Sequence, residues 1–224
     1  MKVTGEDVTA VVTDLRANVV GQGYRRLASQ APAVVADQIA ALASELAEQV
    51  DEITALGIGI GGLVNDKSEV LSAPFLDWEN VPLGSMVESL TGIPTVINND
   101  VIAFTEAEHW FGAASGLSRF AVITLGVGVG FGLVIHNQIV VDEDYGLGLV
   151  GHWPIDPFGP LCPSGHKGCA RTVLTQGAII QAVENTLNRN LSYEEILHMA
   201  TSGEPVARRV VDDAGRGLGK LIAA

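Results

Sequence analysis

The stretch PTVINNDVIAFTE, Pro94–Glu106, combines a strand, a polar corner and the beginning of a helix. Its first part, Pro94–Asn98, is mostly apolar and β-branched, which predicts a short buried strand. Asn98, Asn99 and Asp100 then break the apolar pattern with side chains that commonly cap helices. Apolar residues recur at helical spacing from 101 to 111, so a helix follows. The stretch therefore predicts a strand-to-helix corner that carries a carboxylate.

Asp100 has two interpretations at this corner. Open α/β sheets place ligands at the carboxyl ends of their strands, where a carboxylate can accept a proton from a bound hydroxyl. Capping the helix is the commonest role of Asp at such a position, and it requires no ligand. The residues alone leave both roles open.

Composition and charge exclude several classes of function. The chain has 224 residues, 47% of them hydrophobic, enough for one large or two small domains with a sizeable core. Its formal net charge of −13 argues against direct binding of nucleic acid, because such binding requires Lys and Arg side chains that contact the phosphates. No apolar run reaches the roughly 20 residues of a membrane span, and no signal peptide opens the chain. The sequence thus predicts a cytoplasmic protein without a membrane partner.

The flanking sequence predicts alternating strands and helices, which is typical of an α/β fold. Before the corner we expect a hairpin, a helix, a strand and a short helix, at Val8–Tyr24, Pro32–Val50, Ile53–Ile60 and Pro82–Thr91. After it we expect a strand, a glycine turn, a hairpin and three helices, at Phe120–Leu125, Gly126–Gly132, Leu133–Val141, 176–188, 192–201 and from 205 onwards. This division predicts a smaller α/β lobe over 1–112 and a larger lobe over 113–224.

Both ends of the sequence interrupt predicted elements. The chain starts almost on a strand, and residues 217–224 continue a helix without a C-cap or a breaker. We therefore expect a fold that is truncated at both ends.

Cys162 and Cys169, the two cysteines of the chain, are too few for a disulfide framework. In a reducing compartment, a close pair separated by Gly, Ser and His either binds a metal ion or is structural. Zinc in structural sites takes about four ligands, usually thiolates and imidazoles.

Four stretches are similar, in order, to motifs of one family: Gly57–Val64, Asn99–Asp100, Thr124–Gly132, and Gly151–His152 with Cys162–Cys169. On these residues the sequence resembles the ROK family, which comprises repressors, open reading frames and sugar kinases. The resemblance covers nearly the whole chain. It implies an α/β, actin-like ATPase (ribonuclease-H-like) fold, with two α/β lobes around a cleft.

The resemblance also implies roles for particular residues. Asp100 would be the catalytic base if the chain were a kinase. Sugar binding would involve Gly62, Asn99, Asp100 and His152. A phosphate loop would include Gly126, Gly128 and Gly130, although a tight hairpin entry that needs glycine at positive φ explains the same pattern.

The resemblance further implies a zinc site with His152, Cys162 and Cys169 as ligands. The middle cysteine of the family's zinc signature is Ser164 here, so the ligand set is incomplete unless His166 or a water completes it. The alternative is a loop that packs without metal around a buried thiol pair. Trp78 and Trp153 could likewise stack on a sugar ring, but core or rim packing is the commoner role of such residues.

Further departures from the family pattern weaken the kinase interpretation. Leu149 replaces a glutamate that normally binds sugar hydroxyls, and Arg171 replaces a carboxylate after the last cysteine. Val127 replaces the threonine of the phosphate loop. Thr4–Asp7 stands where the first phosphate loop of the kinases would lie. These changes argue against ATP and Mg²⁺ as cofactors, because phosphoryl transfer depends on positioned phosphates and metal.

The resemblance leaves three hypotheses about function. The first, which we favour, is the sugar-sensing domain of a ROK-type transcriptional regulator, whose DNA-binding domain would lie upstream. In this hypothesis the two lobes close on the ligand, and closure alters the DNA-binding domains of a homo-oligomer, a dimer or tetramer. The second is an ATP-dependent sugar kinase similar to glucokinase. The third is a scaffold without a ligand.

Overall fold

A computed structural model describes the backbone of residues 1–141 and 147–224, together with all their side chains except those of 147–149. The chain divides into two compact units, Met1–Phe120 with Leu133–Glu143, and Ala121–Gly132 with Asp144–Ala224. The expected lobes, 1–112 and 113–224, stay a prediction. In the described residues, no helix is both long and apolar enough to cross a membrane.

The described strands are short and form three sheets. In chain order they are β1 Lys2–Val3, β2 Asp7–Thr13, β3 Val19–Arg26, β4 Leu56–Ile60, β5 Leu63–Val64, β6 Val70–Ala73, β7 Trp78–Val81, β8 Thr95–Asn99, β9 Arg119–Leu125, β10 Val129–Ile135 and β11 Gln138–Ile139. The sheet orders are β3-β2-β1-β4-β8, β11-β10-β9 and β5-β6-β7.

The described helices match most of the predicted ones. They are α1 Pro32–Ala47, α2 Leu83–Thr91, α3 Asp100–Trp110, α4 Ala170–Leu174, α5 Gln176–Leu187, α6 Tyr193–Thr201 and α7 Pro205–Ala223, with a 3-10 helix at Leu147–His152. The short α4 was not predicted, because five residues are too few to show helical periodicity. Part of the irregular segment expected after Val141 lies outside the described residues.

The five-stranded sheet positions the corner at 99–100. Strand β4 runs parallel to both β1 and β8, with Ile58 opposite Ile97 and Ile60 opposite Asn99. Strand β2 is antiparallel to both β1 and β3. Val8 and Ala10 of β2 are buried, whereas Thr9 and Val11 are exposed, so one face of the sheet packs on the core.

Helix α1 supplies much of that core. Its apolar residues at a spacing of three to four, Val35, Ile39, Leu42 and Leu46, are almost fully buried. Burial of this apolar stripe explains why the predicted helix forms. The helix ends at Ala47, three residues before the predicted end at Val50.

The three-stranded sheet β5-β6-β7 was not predicted. Its strands have two to four residues each, too short for an alternating pattern to be recognised. Residues 65–68 form the turn between β5 and β6, where Asn65 Oδ1 accepts from the N–H groups of Lys67 and Glu69. Ser68 takes a positive φ of 60° there.

The second unit has its own core, made chiefly by helices. Buried residues of α4, α5, α6 and α7 pack together, with Ile196 and Val183 fully enclosed. Helix α6 begins with a capping box, in which Ser192 and Glu195 each accept a hydrogen bond from the other's backbone N–H.

The cap of helix α3 is Asn99, so the interpretation of Asp100 as the helix cap is wrong. Asn99 Oδ1 accepts from the N–H groups of Val101 (2.9 Å) and Ile102 (3.2 Å), and Asp100 is the first helical residue. The Asn99 amide nitrogen also donates to the Gly62 carbonyl oxygen over 2.8 Å. Asn99 therefore holds the strand, the helix and the loop after β4 together.

We expect Asn99→Ala to lower the free energy of unfolding by about 1–3 kcal/mol, because it removes both the cap and the bond to Gly62. Asn99→Asp keeps an oxygen that can cap the helix and should lose less than the alanine variant. Urea unfolding followed by circular dichroism measures both. Equal losses for the two variants would contradict the capping role.

The capping box of α6 predicts a pH-dependent contribution to stability. The backbone N–H of Ser192, then its side chain, lowers the pKa of the Glu195 carboxyl. The ionised carboxylate thus stabilises the fold above its ordinary pKa, and this contribution is lost as the pH falls through the lowered value. The stability difference between the wild type and Glu195→Gln should be largest at neutral pH and should vanish in acid. Thermal melts across pH 2–7 measure it, and a difference that grew in acid would refute the assignment.

Candidate functional site

Asp100 lies at the carboxyl end of β8, where it forms an ion pair that the sequence did not suggest. Its Oδ2 is 3.1 Å from Nζ of Lys2, which belongs to the neighbouring part of the same sheet. Both side chains belong to the first unit, and the Asp100 side chain is only 22% exposed. Lys2 was not predicted as part of the site, because no local sequence pattern connects it to Asp100, which is distant in sequence.

Gly59 of β4 allows the start of α3, with Asp100, to lie close to the sheet. A Cβ at Gly59 would lie 3.3 Å from the Cα of Asp100, so a larger residue would push the start of α3 away from the sheet. A concavity of about 420 Å³ adjoins the pair, with walls from Lys2, Gly57, Val96 and Asp100. A hydroxylated ligand there would meet both a cation and a carboxylate.

Asn99 and Gly62 are two further residues that were expected to bind sugar. The Asn99 side chain and the Gly62 carbonyl oxygen already form hydrogen bonds within the protein. Of the groups on the Asn99 side chain, the oxygen caps α3 and one N–H binds Gly62, which leaves one N–H for a ligand. A Cβ at Gly62 would clash with the Ser72 carbonyl oxygen, so β6 itself requires glycine at this position.

The turn between β1 and β2, where a phosphate loop was expected to be absent, is closed by its own hydrogen bonds. Thr4 Oγ1 accepts from the N–H groups of Glu6 (3.2 Å) and Asp7 (3.0 Å) and donates to the Asp7 carboxylate over 2.7 Å. The Thr4 N–H binds the Asp7 carbonyl oxygen over 2.9 Å. These N–H groups are therefore not free to bind phosphate.

The whole glycine-rich segment Gly126–Gly132 belongs to the second unit. The Gly126 N–H binds the Gly128 carbonyl oxygen (3.0 Å), and the Gly126 carbonyl oxygen accepts from the first N–H of α5 at Gln176 (2.9 Å). Gly126 and Gly128 lie between β9 and β10, at the hairpin entry that was expected. The expected reason for glycine there is wrong, since no glycine of the segment is among those with positive φ. Gly130 and Gly132 instead lie in strand β10. A Cβ at Gly126 or Gly128 would meet no atom within 4 Å, so packing does not explain these two glycines.

The structure brings the three expected metal ligands together in the second unit. His152, Cys162 and Cys169 have their ligand atoms within 4.8 Å of one another. His152 Nδ1 is 3.7 Å from Cys162 Sγ and 3.9 Å from Cys169 Sγ. Both cysteines are buried and free. Two sulfurs and an imidazole nitrogen at these separations fit zinc, which prefers thiolate and imidazole donors.

The surroundings of Cys162 favour the thiolate, which is the form that binds metals. Burial raises the pKa of the Cys162 thiol, but hydrogen bonds from the backbone and side chain of His166, the backbone of Ser164 and the side chain of His152 outweigh it and lower the pKa to about 6.

Backbone contacts hold the cysteine loop in place. Pro154 and Cys169 pair as an isolated antiparallel bridge, and so do Leu161 and Lys167. Gly168 has a φ of 58°, and a Cβ there would clash with the Asp156 carbonyl oxygen, so this position requires glycine.

The remaining expected residues fall in different surroundings. Trp78 is buried in the core of the first unit, where its Nε1 donates to the Gln30 carbonyl oxygen, so it does not stack on a ligand. Trp153 is 47% exposed and close in sequence to the metal ligand His152. The side chain of Leu149 lies outside the described residues.

Comparison with known proteins accounts for this arrangement of motifs. The chain is 26% identical to the xylose repressor of Bacillus subtilis, over 86% of this chain and 51% of the repressor. It is 32% identical to the glucokinase of Streptomyces coelicolor, over 90% of this chain and 63% of the kinase. The chain thus spans half to two thirds of these relatives. It superposes with a TM-score of 0.90 and 27% identity on a ROK family transcriptional regulator homologous to the Escherichia coli Mlc protein, covering 100% of this chain and 60% of that one.

The model of the ROK family matches residues 1–224, that is, every element from β1 to α7. Regulators and sugar kinases share the actin-like ATPase fold that the sequence predicted, and this chain has it. The chain belongs to the ROK family.

Proposed function

We propose that this chain is the sugar-sensing part of a ROK-type transcriptional regulator and that it does not transfer phosphate. The observation that carries the proposal is the ion pair between Lys2 and Asp100, with 3.1 Å between Nζ and Oδ2. A catalytic base must be free to accept the proton of the attacking hydroxyl. An ammonium group at this distance occupies one of the two carboxylate oxygens, so that oxygen is not free to accept the hydroxyl proton.

The turn between β1 and β2 supports the same conclusion. Kinase catalysis depends on N–H groups and cations that position the phosphates. In this turn the Thr4 hydroxyl and the Asp7 carbonyl use the N–H groups of the turn. Glu6 and Asp7 also bring two carboxylates to the turn, and these would repel a phosphate.

The same pair suits a binding site for a neutral, hydroxylated ligand. A sugar hydroxyl can donate to the Asp100 carboxylate and accept from the Lys2 ammonium at once. The remaining N–H of Asn99 adds a second donor near the same corner. We propose a sugar or sugar derivative as the effector, homo-oligomerisation as the means of coupling, and contact with DNA only through a separate upstream domain.

A sugar kinase similar to glucokinase is the second candidate. The 32% identity to a glucokinase and the presence of Asp100 at the strand-to-helix corner favour it. The two candidates differ in one measurable respect, which is the consumption of ATP.

We expect xylose or glucose, the sugars of the repressor and kinase relatives, to raise the melting temperature of the wild type. Asp100→Asn should weaken binding about 10-fold to 100-fold, because a hydrogen bond to a charged group contributes about 1.5–3 kcal/mol. Isothermal titration calorimetry measures the affinities. Asp37→Asn, on the exposed face of α1, is the matched control and should bind as the wild type does. An Asp100→Asn variant with unchanged affinity would place the ligand elsewhere.

We expect no ATP turnover with glucose, xylose or N-acetylmannosamine in a coupled assay that detects ADP. Lys2→Ala frees the Asp100 carboxylate but restores no phosphate-binding loop, so it should remain inactive as well. Turnover by the wild type that Asp100→Ala abolishes would overturn the regulator proposal in favour of the kinase.

A further inference from the structure

The metal cluster has a fourth donor beyond the three expected ligands. His166 Nδ1 lies 3.4 Å from Cys162 Sγ and 3.1 Å from His152 Nδ1. The two imidazole rings face each other with centroids 4.6 Å apart and an angle of 46° between their planes. His166 Nδ1 therefore lies beside two of the three expected ligand atoms, Cys162 Sγ and His152 Nδ1.

The separations between these atoms match the edges of a zinc tetrahedron. Zinc–sulfur bonds of about 2.3 Å and zinc–nitrogen bonds of about 2.0–2.1 Å imply edges of roughly 3.3 Å between two nitrogens and roughly 3.6 Å between nitrogen and sulfur. The corresponding distances here are 3.1 Å between the nitrogens and 3.4, 3.7 and 3.9 Å between nitrogen and sulfur. Four of the six edges are thus close to those of a zinc tetrahedron.

The loop backbone directs His166 towards this point. Gly165, with a φ of 85°, reverses the chain between Cys162 and His166. The N–H of Cys162 then binds the His166 carbonyl oxygen (2.7 Å), and the N–H of His166 binds Cys162 Sγ (3.3 Å). These two bonds close the loop so that the ligand atoms of both residues lie on its inner side.

Ser164 is a poor alternative for the fourth position. In the described part of the chain its hydroxyl makes no hydrogen bond to either cysteine or either histidine, whereas His166 Nδ1 lies within 3.4 Å of Cys162 Sγ and 3.1 Å of His152 Nδ1. A hydroxyl is also a much weaker zinc ligand than a thiolate or an imidazole.

We propose that His166 replaces the missing cysteine, so that zinc is bound by Cys162, Cys169, His152 and His166, with both imidazoles coordinating through Nδ1. Two thiolates and two neutral imidazoles balance the charge of Zn²⁺, whereas three thiolates and one imidazole would leave a net negative site. The exchange thus keeps a closed, four-coordinate site of the structural kind and makes it electrically neutral. The proposal concerns the metal alone and does not depend on the function proposed above.

X-ray absorption at the zinc edge of the purified wild type tests the ligand set without any mutation. We expect about one zinc per chain, with two sulfurs at about 2.3 Å and two imidazole nitrogens at about 2.0 Å. A single imidazole with an added water oxygen, or a chain purified with zinc in the medium that holds none, would refute the proposal.

Variants identify which residue supplies the fourth ligand. His166→Ala should weaken zinc binding at least about tenfold in competition with a chelator, and it should change the visible spectrum of the Co²⁺-substituted protein. His198→Ala removes an exposed imidazole from α6 and should bind zinc as the wild type does. Ser164→Ala should also leave the affinity unchanged. A loss in Ser164→Ala, or none in His166→Ala, would overturn the assignment.

A rescue variant distinguishes the loss of a zinc ligand from misfolding of the loop. Ser164→Cys combined with His166→Ala exchanges the imidazole for a third thiolate and should recover tight zinc binding. Its Co²⁺ form should show stronger sulfur-to-metal charge transfer than the wild type, because three thiolates replace two. Recovery of affinity without stronger charge transfer would show that the new cysteine at position 164 does not bind the metal. That result would count against His166 as the replacement for the missing cysteine.

Discussion

The Asn99 side chain is the contact on which the candidate site depends. Its oxygen caps α3, and its nitrogen binds the Gly62 carbonyl oxygen, so a single amide connects β8, α3 and the loop after β4. An amide can do this because it carries an acceptor and donors on opposite sides of one planar group. With the corner fixed in this way, Asp100 cannot serve as the cap and its carboxylate is available to pair with Lys2.

The zinc-type cluster depends on a comparable constraint from the backbone. Glycines at positive φ let the loop turn tightly at Gly165 and pass close to Asp156 at Gly168. The resulting bridges set Cys162 and Cys169 beside His152. In both places, hydrogen bonds to the backbone position the polar groups of the site.

Membership of the ROK family leaves function open, because regulators and kinases share the fold. What separates the two is the availability of particular donors and acceptors. In this chain the N–H groups of Thr4, Glu6 and Asp7 are bound within the turn after β1, and the carboxylate at the corner already faces a cation. The polar groups of the corner remain suited to hydroxyls, which is why we favour recognition of a sugar over its phosphorylation.

The sequence alone determined the family, the fold class and most of the helices and longer strands, since these follow from hydrophobic periodicity and motif order within short windows. It also indicated His152, Cys162 and Cys169 as partners, because Gly151–His152 and Cys162–Cys169 resemble the zinc signature of the family. It did not reveal the sheet β5-β6-β7, whose strands are too short to show a period. Only the tertiary structure decided that Asn99 rather than Asp100 caps α3, that Lys2 pairs with Asp100, and that His166 Nδ1 faces His152 Nδ1. Each of these depends on the direction of a side chain or on residues distant in sequence, and neither is encoded in a local pattern.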